Sequence, residues 1–317
     1  MATVDAAGST TELSARVLLA ATVLAGALLS VQARVNGALA GRLGSSVLTA
    51  LVSFSVGTAA LVGAVAATGR WRSARPRPGP PARWWWFCGG LGGATLVAAS
   101  ALAVPRIGVA LLGVGIVAGQ TVGSLVVDEV GLSPRGRQAM TTPRVAGALL
   151  AIMALAVGAA GEGGRLQIGL FALIAVAGAG VAAQQAANGQ LQRLTGEPLL
   201  AALVSFTVGT VALAVGVLVL AAAGDLHVGE WPAEIGLYLG GLCGAAYITL
   251  SAAAVSRLGV LRLTLASVAG QLLGAVLLDL LRPTGGGLRA ATVVATAMTL
   301  AAVAVSGRAA LSARRAA

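Results

Sequence analysis

The stretch LTALVSFSVGT at residues 48–58 returns almost unchanged as LAALVSFTVGT at residues 200–210, with nine of the eleven positions identical. The offset between the two copies is 152 residues, and polar residues elsewhere repeat at this offset or at 151 residues. These repeated pairs are Gln32 and Gln184, Asn36 and Asn188, Gln120 and Gln271, and Asp128 and Asp279. A duplication therefore spans nearly the whole chain.

The composition indicates a membrane protein. Of the 317 residues, 57% are hydrophobic and 10% are charged, whereas soluble proteins carry roughly 25% charged residues. The net charge is +11, and all the positive charge is carried by 21 Arg, because the chain contains no Lys. These Arg lie between apolar runs, where positive charge sets the orientation in the membrane. The sequence therefore predicts the lipid bilayer as a partner and predicts no nucleic acid.

Ten apolar runs have about the length of a spanning helix, which needs roughly 20 residues. They lie near residues 15–35, 47–68, 84–104, 107–127, 145–161, 166–187, 199–223, 235–255, 258–281 and 290–306. The link at Pro105 and Arg106 also fits a kink in one long helix, but its length favours two. We predict an all-α polytopic membrane protein, with a first five-helix repeat in residues 1–161 and a second in residues 162–317.

The link at residues 69–83 is rich in Pro and carries five Arg, so it is predicted to be non-helical and to stay in the cytoplasm. Alternating crossings then place both termini in the cytoplasm, with fifteen Arg on the inner side and six on the outer side. We therefore predict a multi-pass protein of the plasma membrane. Trp84, Trp85 and Trp86 follow the link, at the depth where an interfacial aromatic belt is expected.

Five crossings per repeat is an odd number, so the second copy must enter the membrane upside down. The halves are then related by a pseudo-two-fold axis in the membrane plane, as in many secondary transporters. We expect substrate near the midplane, where Gln120 and Gln271 each lie about thirteen residues into their helices. An amide there either contacts substrate or forms hydrogen bonds between helices, and the sequence leaves both roles open.

Gln32 and Asn36 share one helical face, and Gln184 and Asn188 repeat it. They are placed equally well to act as substrate gates or as helix caps. Capping is the favoured interpretation because a Gly follows each Asn. Asp128 and Asp279 are the repeated carboxylates and hence the candidates for coupling to an ion. Their places at helix ends favour solvated or Arg-paired side chains.

Small residues form stripes on the fourth and ninth predicted helices, beside Gln120 and Gln271. The stripes are Gly115, Gly119 and Gly123, and Ala266, Gly270 and Gly274. Such stripes permit close approach of backbones, so we expect these helices to pack against each other or to form a dimer contact. The repeated VSFxVGT sequence, with Ser53 and Ser205, is typical of packing rather than chemistry.

The repeated pattern of Gln32, Asn36 and Gly37 with LVSF at residues 51–54 and the following Gly57 and Thr58 resembles the YdcZ-type branch of the drug/metabolite transporter superfamily. The chain looks like a fused tandem of two such units. The resemblance implies inner-membrane export and a ten-helix inverted-repeat fold. It also implies a cavity lined by the first, third and fourth helices and their symmetry mates. The first helix lacks the Glu that small multidrug-resistance relatives use, so proton-driven export of cations is not implied.

These patterns favour a secondary transporter that exports a small metabolite or drug-like compound by alternating access. Its expected partners are the small-molecule substrate, a coupling ion and a second copy of the chain. The alternative is a channel or a non-transporting membrane protein. An enzyme is disfavoured, because the only His, His227, lies in a predicted external loop. We predict no catalytic residue, no metal site and no cofactor.

Overall fold

The computed structural model describes residues 2–73, 81–134, 136–160, 165–283 and 289–315. Its side chains are described for 17–72, 81–134, 136–160, 168–250, 266–283 and 289–306. Within these ranges the regular structure is helical. The α-helices are α1 (Ala2–Leu43), α2 (Ser46–Thr68), α3 (Arg70–Ser73), α4 (Gly90–Glu129), α5 (Thr142–Ala160), α6 (Arg165–Thr195), α7 (Pro198–Ala222), α8 (Gly240–Leu281) and α9 (Ala290–Arg315). Short 3-10 helices precede α4 and α8, at Trp84–Gly89 and Ile235–Tyr238.

The helix ends follow from local sequence signals. Ser45 caps α2 by accepting a hydrogen bond from the backbone N–H of Leu48 at 3.2 Å. Gly69 ends the same helix in the left-handed conformation, with φ of 62°. Pro198 begins α7, where its missing N–H costs nothing. The predicted starts and ends of these two helices agree with the structure to within one residue.

Several predicted segments differ from the structure; α6 and α9, for example, end at Thr195 and Arg315 rather than near residues 187 and 306. Helix α1 begins and ends well beyond the predicted residues 15–35, because residues compatible with a helix flank the apolar run. Residues 70–73 form one helical turn, α3, so this part of the link is helical despite the prediction, since its Pro residues come later. Trp84 is exposed, whereas Trp86 is buried against Leu191 and therefore packs in the core rather than in an interfacial belt.

Helix α4 is interrupted at Gly108, whose φ of 77° and ψ of 172° belong to a region open essentially to Gly alone. We name the two segments α4a (residues 90–107) and α4b (residues 109–129). The prediction of two helices is correct, but the break lies three residues after Pro105 rather than at it. The helix can pass through Pro105 while Gly108 supplies the non-helical dihedral angles that a change of direction requires.

The contacts of α4 with α6 show that the chain turns back at this break. Close approaches along this part of the chain are Gly89 to Asn188, Gly93 to Gln184, Gly115 to Ile174 and Gly123 to Ala179. Residue numbers on α6 fall along α4a and rise along α4b. The two segments therefore run in opposite directions beside the same helix.

Helix α8 doubles back along α1 in the same way. Close approaches along α8 are Gly240 to Asn36, Gly244 to Gln32, Gly270 to Val23 and Gly274 to Ala27. The direction reverses between Gly244 and Gly270. We name the flanking apolar segments α8a (Gly240–Leu250) and α8b (Ala266–Leu281).

The two copies of the opening sequence motif meet where α2 crosses α7. The rings of Phe54 and Phe206 stack with centroids 4.9 Å apart. The hydroxyls of Thr58 and Thr210 share a hydrogen bond of 2.9 Å. Each of these residues contacts its own repeat equivalent, so the motif serves packing, as predicted, and it joins the two halves.

The small-residue stripes have different partners from those predicted. Gly119 and Gly123 approach α6, and Gly270 and Gly274 approach α1. The stripes of α4b and α8b therefore do not pack against each other, although the two segments do meet, as predicted, through Val117, Val268 and Leu272. Each stripe packs on the first helix of the opposite half, which is α6 for α4b and α1 for α8b. Its small residues can approach that backbone more closely than they could approach a segment lined with Val and Leu.

The apolar surface is that of a polytopic membrane protein. In the described part of the chain, six helices have the length and apolarity to cross a bilayer, and three shorter apolar helices accompany them. Large apolar side chains are exposed along these helices, such as Leu24, Val62, Ile152 and Leu277. A surface of this kind is stable in lipid and not in water. The segment Trp84–Glu129 is the most buried, so α4 forms the centre of the bundle.

Candidate functional site

The repeated amides of α1 and α6 lie within the helices, about two turns before their ends, and each Asn contacts the VSFxVGT motif of its own half. The Asn36 amide donates to Ser53 Oγ at 3.2 Å, and Ser205 Oγ donates to the Asn188 carbonyl oxygen. The predicted capping role is wrong, because α1 and α6 continue past Asn36 and Asn188. The helices can continue because neither following Gly adopts a positive φ. The two Asn and the two VSFxVGT copies repeat at the same offset of 152 residues. This shared offset was the sequence signal that could have paired each Asn with the motif of its own half.

Glycines at the starts of α4 and α8 make room for these amides. A side chain on Gly240 would overlap the amide of Asn36, and one on Gly244 would contact Gln32. In the other half, Gly89 faces Asn188, and Gly93 faces Gln184. Each contact thus recurs with the halves exchanged. These glycines were not among the predicted site residues, although they too repeat.

The two amide clusters differ in exposure. Gln32 is 7% exposed and Asn36 is 1% exposed. Their equivalents Gln184 and Asn188 are half-buried. The first cluster is therefore closed to solvent and lipid, and the second is partly open, although their contacts are equivalent.

Gln120 and Gln271 are both half-buried. They do not meet, because Val117, Val268 and Leu272 pack together between α4b and α8b. Val117 and Val268 are repeat equivalents, so the apolar layer lies where the two halves meet. The midplane cavity expected between the two Gln is filled with side chains in this conformation.

Asp279 joins three elements at one end of the bundle. One carboxylate oxygen accepts from the backbone N–H of Ala110 at 2.8 Å, at the start of α4b. The other accepts from Arg34 at 3.2 Å, and Arg34 also donates to the carbonyl of Arg282. The carboxylate thus caps a helix that belongs to the opposite half. Arg34 was the signal in the sequence, because it is the only charged residue in the apolar stretch 17–35.

Asp128, the repeat equivalent of Asp279, has a different partner. Its carboxylate forms an ion pair with Arg144, and both side chains are about one-fifth exposed. Both repeated carboxylates are thus paired with Arg. In the neighbouring loop, a hydrogen bond to Glu129 raises the pKa of Arg137. Arg144 and Arg34, which pair with Asp128 and Asp279, are not repeat equivalents. The two carboxylates are therefore neutralised by Arg residues from different places in the repeat.

A groove of about 390 Å³ lies between α2, α4a, α6 and α7. Its lining is apolar apart from two hydroxyl side chains. The lining residues are Ser46, Val47, Leu91, Ala94, Thr95, Ala98, Ala99, Leu102, Leu173, Ala212 and Leu213. None of the predicted site residues lines it.

The sequence matches one family twice, over residues 17–157 and again over residues 169–307. The family is described as "Putative inner membrane exporter, YdcZ". The chain belongs to the YdcZ family. The two matches are in tandem, so the chain contains two YdcZ units, as the repeat predicted.

The fold of this YdcZ protein is shared with a solved structure. A crystal structure of a protein with 20% sequence identity aligns over 92% of this chain and 96% of its own, with a TM-score of 0.57. At this identity the likeness shows the fold alone. No curated protein matches the sequence.

Proposed function

We propose that this YdcZ protein exports a small metabolite or drug-like compound across the plasma membrane by alternating access. The observation that supports the proposal is that contacts between the two halves occur twice, the second time with the halves exchanged. Gly93 meets Gln184 as Gly244 meets Gln32, and both α4 and α8 double back. Two units that pack on each other in this way could interconvert between two equivalent arrangements of similar energy.

The proposed topology has ten crossings in two inverted repeats, residues 1–161 and 162–317. The segment Trp84–Glu129 has 46 residues, about 69 Å of helix against a bilayer core of about 30 Å. It therefore supplies two crossings, and with five other long helices and three shorter ones the total is ten. The boundary between the repeats lies outside the described residues. Both termini are placed in the cytoplasm, in keeping with the Arg distribution.

Each candidate residue has a role in this scheme. Gln120 and Gln271 contact the substrate. Gln32 and Asn36 form one gate, closed in this conformation, and Gln184 and Asn188 form the other, which is partly open. Asp128 and Asp279 are the candidates for coupling to an ion, and each ion pair would have to open during the cycle.

The experiment begins by comparing metabolites in cells with and without the gene. A compound that accumulates outside only in cells with the gene is then tested by counterflow in proteoliposomes. Exchange driven by unlabelled compound supports a transporter, whereas flux without counterflow indicates a channel. No flux for any compound found in this way contradicts export. Normal affinity and turnover in both Gln120→Ala and Gln271→Ala would remove these residues from the site.

A further inference from the structure

The apolar layer formed by Val117, Val268 and Leu272 lies between α4b and α8b. Its contacts show how the two segments run relative to each other. Gly113 approaches Leu272, and Val117 packs with Val268. Residue numbers rise on α4b while they fall on α8b, so the two segments are antiparallel. A residue that comes after the Val117–Val268 contact in the sequence of α4b therefore lies on one side of that contact. A residue that comes after it in the sequence of α8b lies on the other side.

Gln120 follows Val117 by three residues, and Gln271 follows Val268 by three residues. Gln120 thus lies one turn beyond Val117, and Gln271 lies between Val268 and Leu272, so the two amides lie on opposite sides of the Val117–Val268 contact. Two offsets of three residues separate the amides by about 9 Å along the helices. Residues 107–119 are all buried, and exposure begins at Gln120. This Gln is therefore the first partly exposed residue that α4b presents beyond the layer.

The helix segments that carry the two amides have no charged residue near them. The sequence has no charged residue in 107–127 or in 263–278. The hydroxyls of Thr121 and Ser124 donate to carbonyls of their own helix. Neither Gln120 nor Gln271 has a hydrogen-bond partner for its side chain in the part of the chain that the structure describes. A buried ion would find no counter-charge on either of these segments and would lose its hydration.

We propose that Gln120 and Gln271 form two half-sites for an uncharged solute, one on each side of the Val117–Val268 layer. A Gln amide offers two donors and one acceptor, so the solute carries both acceptors and donors. It contacts one amide at a time, because the layer keeps the amides apart. This inference rests on the proposed export function and specifies its substrate class.

The test measures how fast thiol reagents of different charge reach each half-site in membrane vesicles. Cys88→Ser and Cys243→Ser remove the native thiols, and Gln120→Cys or Gln271→Cys is then added. The reagents are methyl methanethiosulfonate, which is uncharged, and its trimethylammonium-ethyl and sulfonato-ethyl relatives. Glu230→Cys, in an exposed loop, is the control that gives each reagent's intrinsic rate.

We expect the uncharged reagent to react at least about tenfold faster than either charged one at both half-sites, relative to the control. An uncharged glucose-linked methanethiosulfonate, added to one side, should reach Gln120→Cys and Gln271→Cys from opposite sides. Ser124→Cys, one turn beyond Gln120, repeats the measurement if Gln120→Cys does not fold.

Equal relative rates for charged and uncharged reagents would overturn the substrate class. Labelling of both positions from one side would overturn the arrangement around the layer. Neither result bears on counterflow, so failure of this inference is distinguishable from failure of the export proposal.

Discussion

Replacing Asp279 by Asn should destabilise the protein more than the equivalent change at Asp128. Asp279 is 4% exposed and binds Arg34, which is 17% exposed, as well as the N–H of Ala110. Asn keeps the shape and one acceptor for the N–H, but it removes the negative charge. The Arg34 guanidinium then loses this carboxylate while it remains largely buried.

The size of the effect follows from burial. Breaking a fully buried ion pair costs about 3–5 kcal/mol, whereas an exposed pair contributes at most about 1 kcal/mol. The partial exposure of Arg34 places Asp279→Asn between these limits, at about 2 kcal/mol. Asp128 and Arg144 are each about one-fifth exposed, whereas Asp279 is 4% exposed, so Asp128→Asn should cost less, about 1 kcal/mol.

The assay is unfolding in detergent micelles, followed by intrinsic Trp fluorescence, for the parent and the variants. Arg34→Gln and the double variant with Asp279→Asn complete a cycle that isolates the pair. We expect the double variant to lose less unfolding free energy than the sum of the losses in the two single variants. Equal losses for Asp279→Asn and Asp128→Asn, or strict additivity in the cycle, would refute the argument from burial.

Three further changes test the packing. Gly119→Ala places a Cβ on the carbonyl oxygen of Ala175 and should cost about 1–3 kcal/mol of unfolding free energy; Gly63→Ala, which has open space around it, should cost nothing in the same melt. Gly108→Ala should lose about 1–3 kcal/mol, because its backbone conformation suits only Gly; an unchanged melting temperature would contradict the strained break. Thr58→Val removes the hydroxyl pair with Thr210 and should cost about 0.6 kcal/mol, measured as a small shift in melting temperature.

Much of the architecture could be predicted from the amino-acid order. The apolar runs predicted α2, α5 and α7 closely, because helix length in a bilayer follows from the number of consecutive apolar residues. The duplication predicted that the VSFxVGT copies would serve packing, and Phe54 and Phe206 do stack. Arg pairing of Asp128 and Asp279 could also be expected, because carboxylates at helix ends need a partner or water.

The sequence by itself determined the repeat, the helices and the residues that are polar within them. Only the tertiary structure decided their partners: α6 rather than α8 for the stripe containing Gly119, Ser53 for Asn36, and Ala110 for Asp279. The physical reason is that a spanning helix is apolar on every side, so its pattern does not mark the face that meets a neighbour. Close packing and the few hydrogen bonds between helices make that choice.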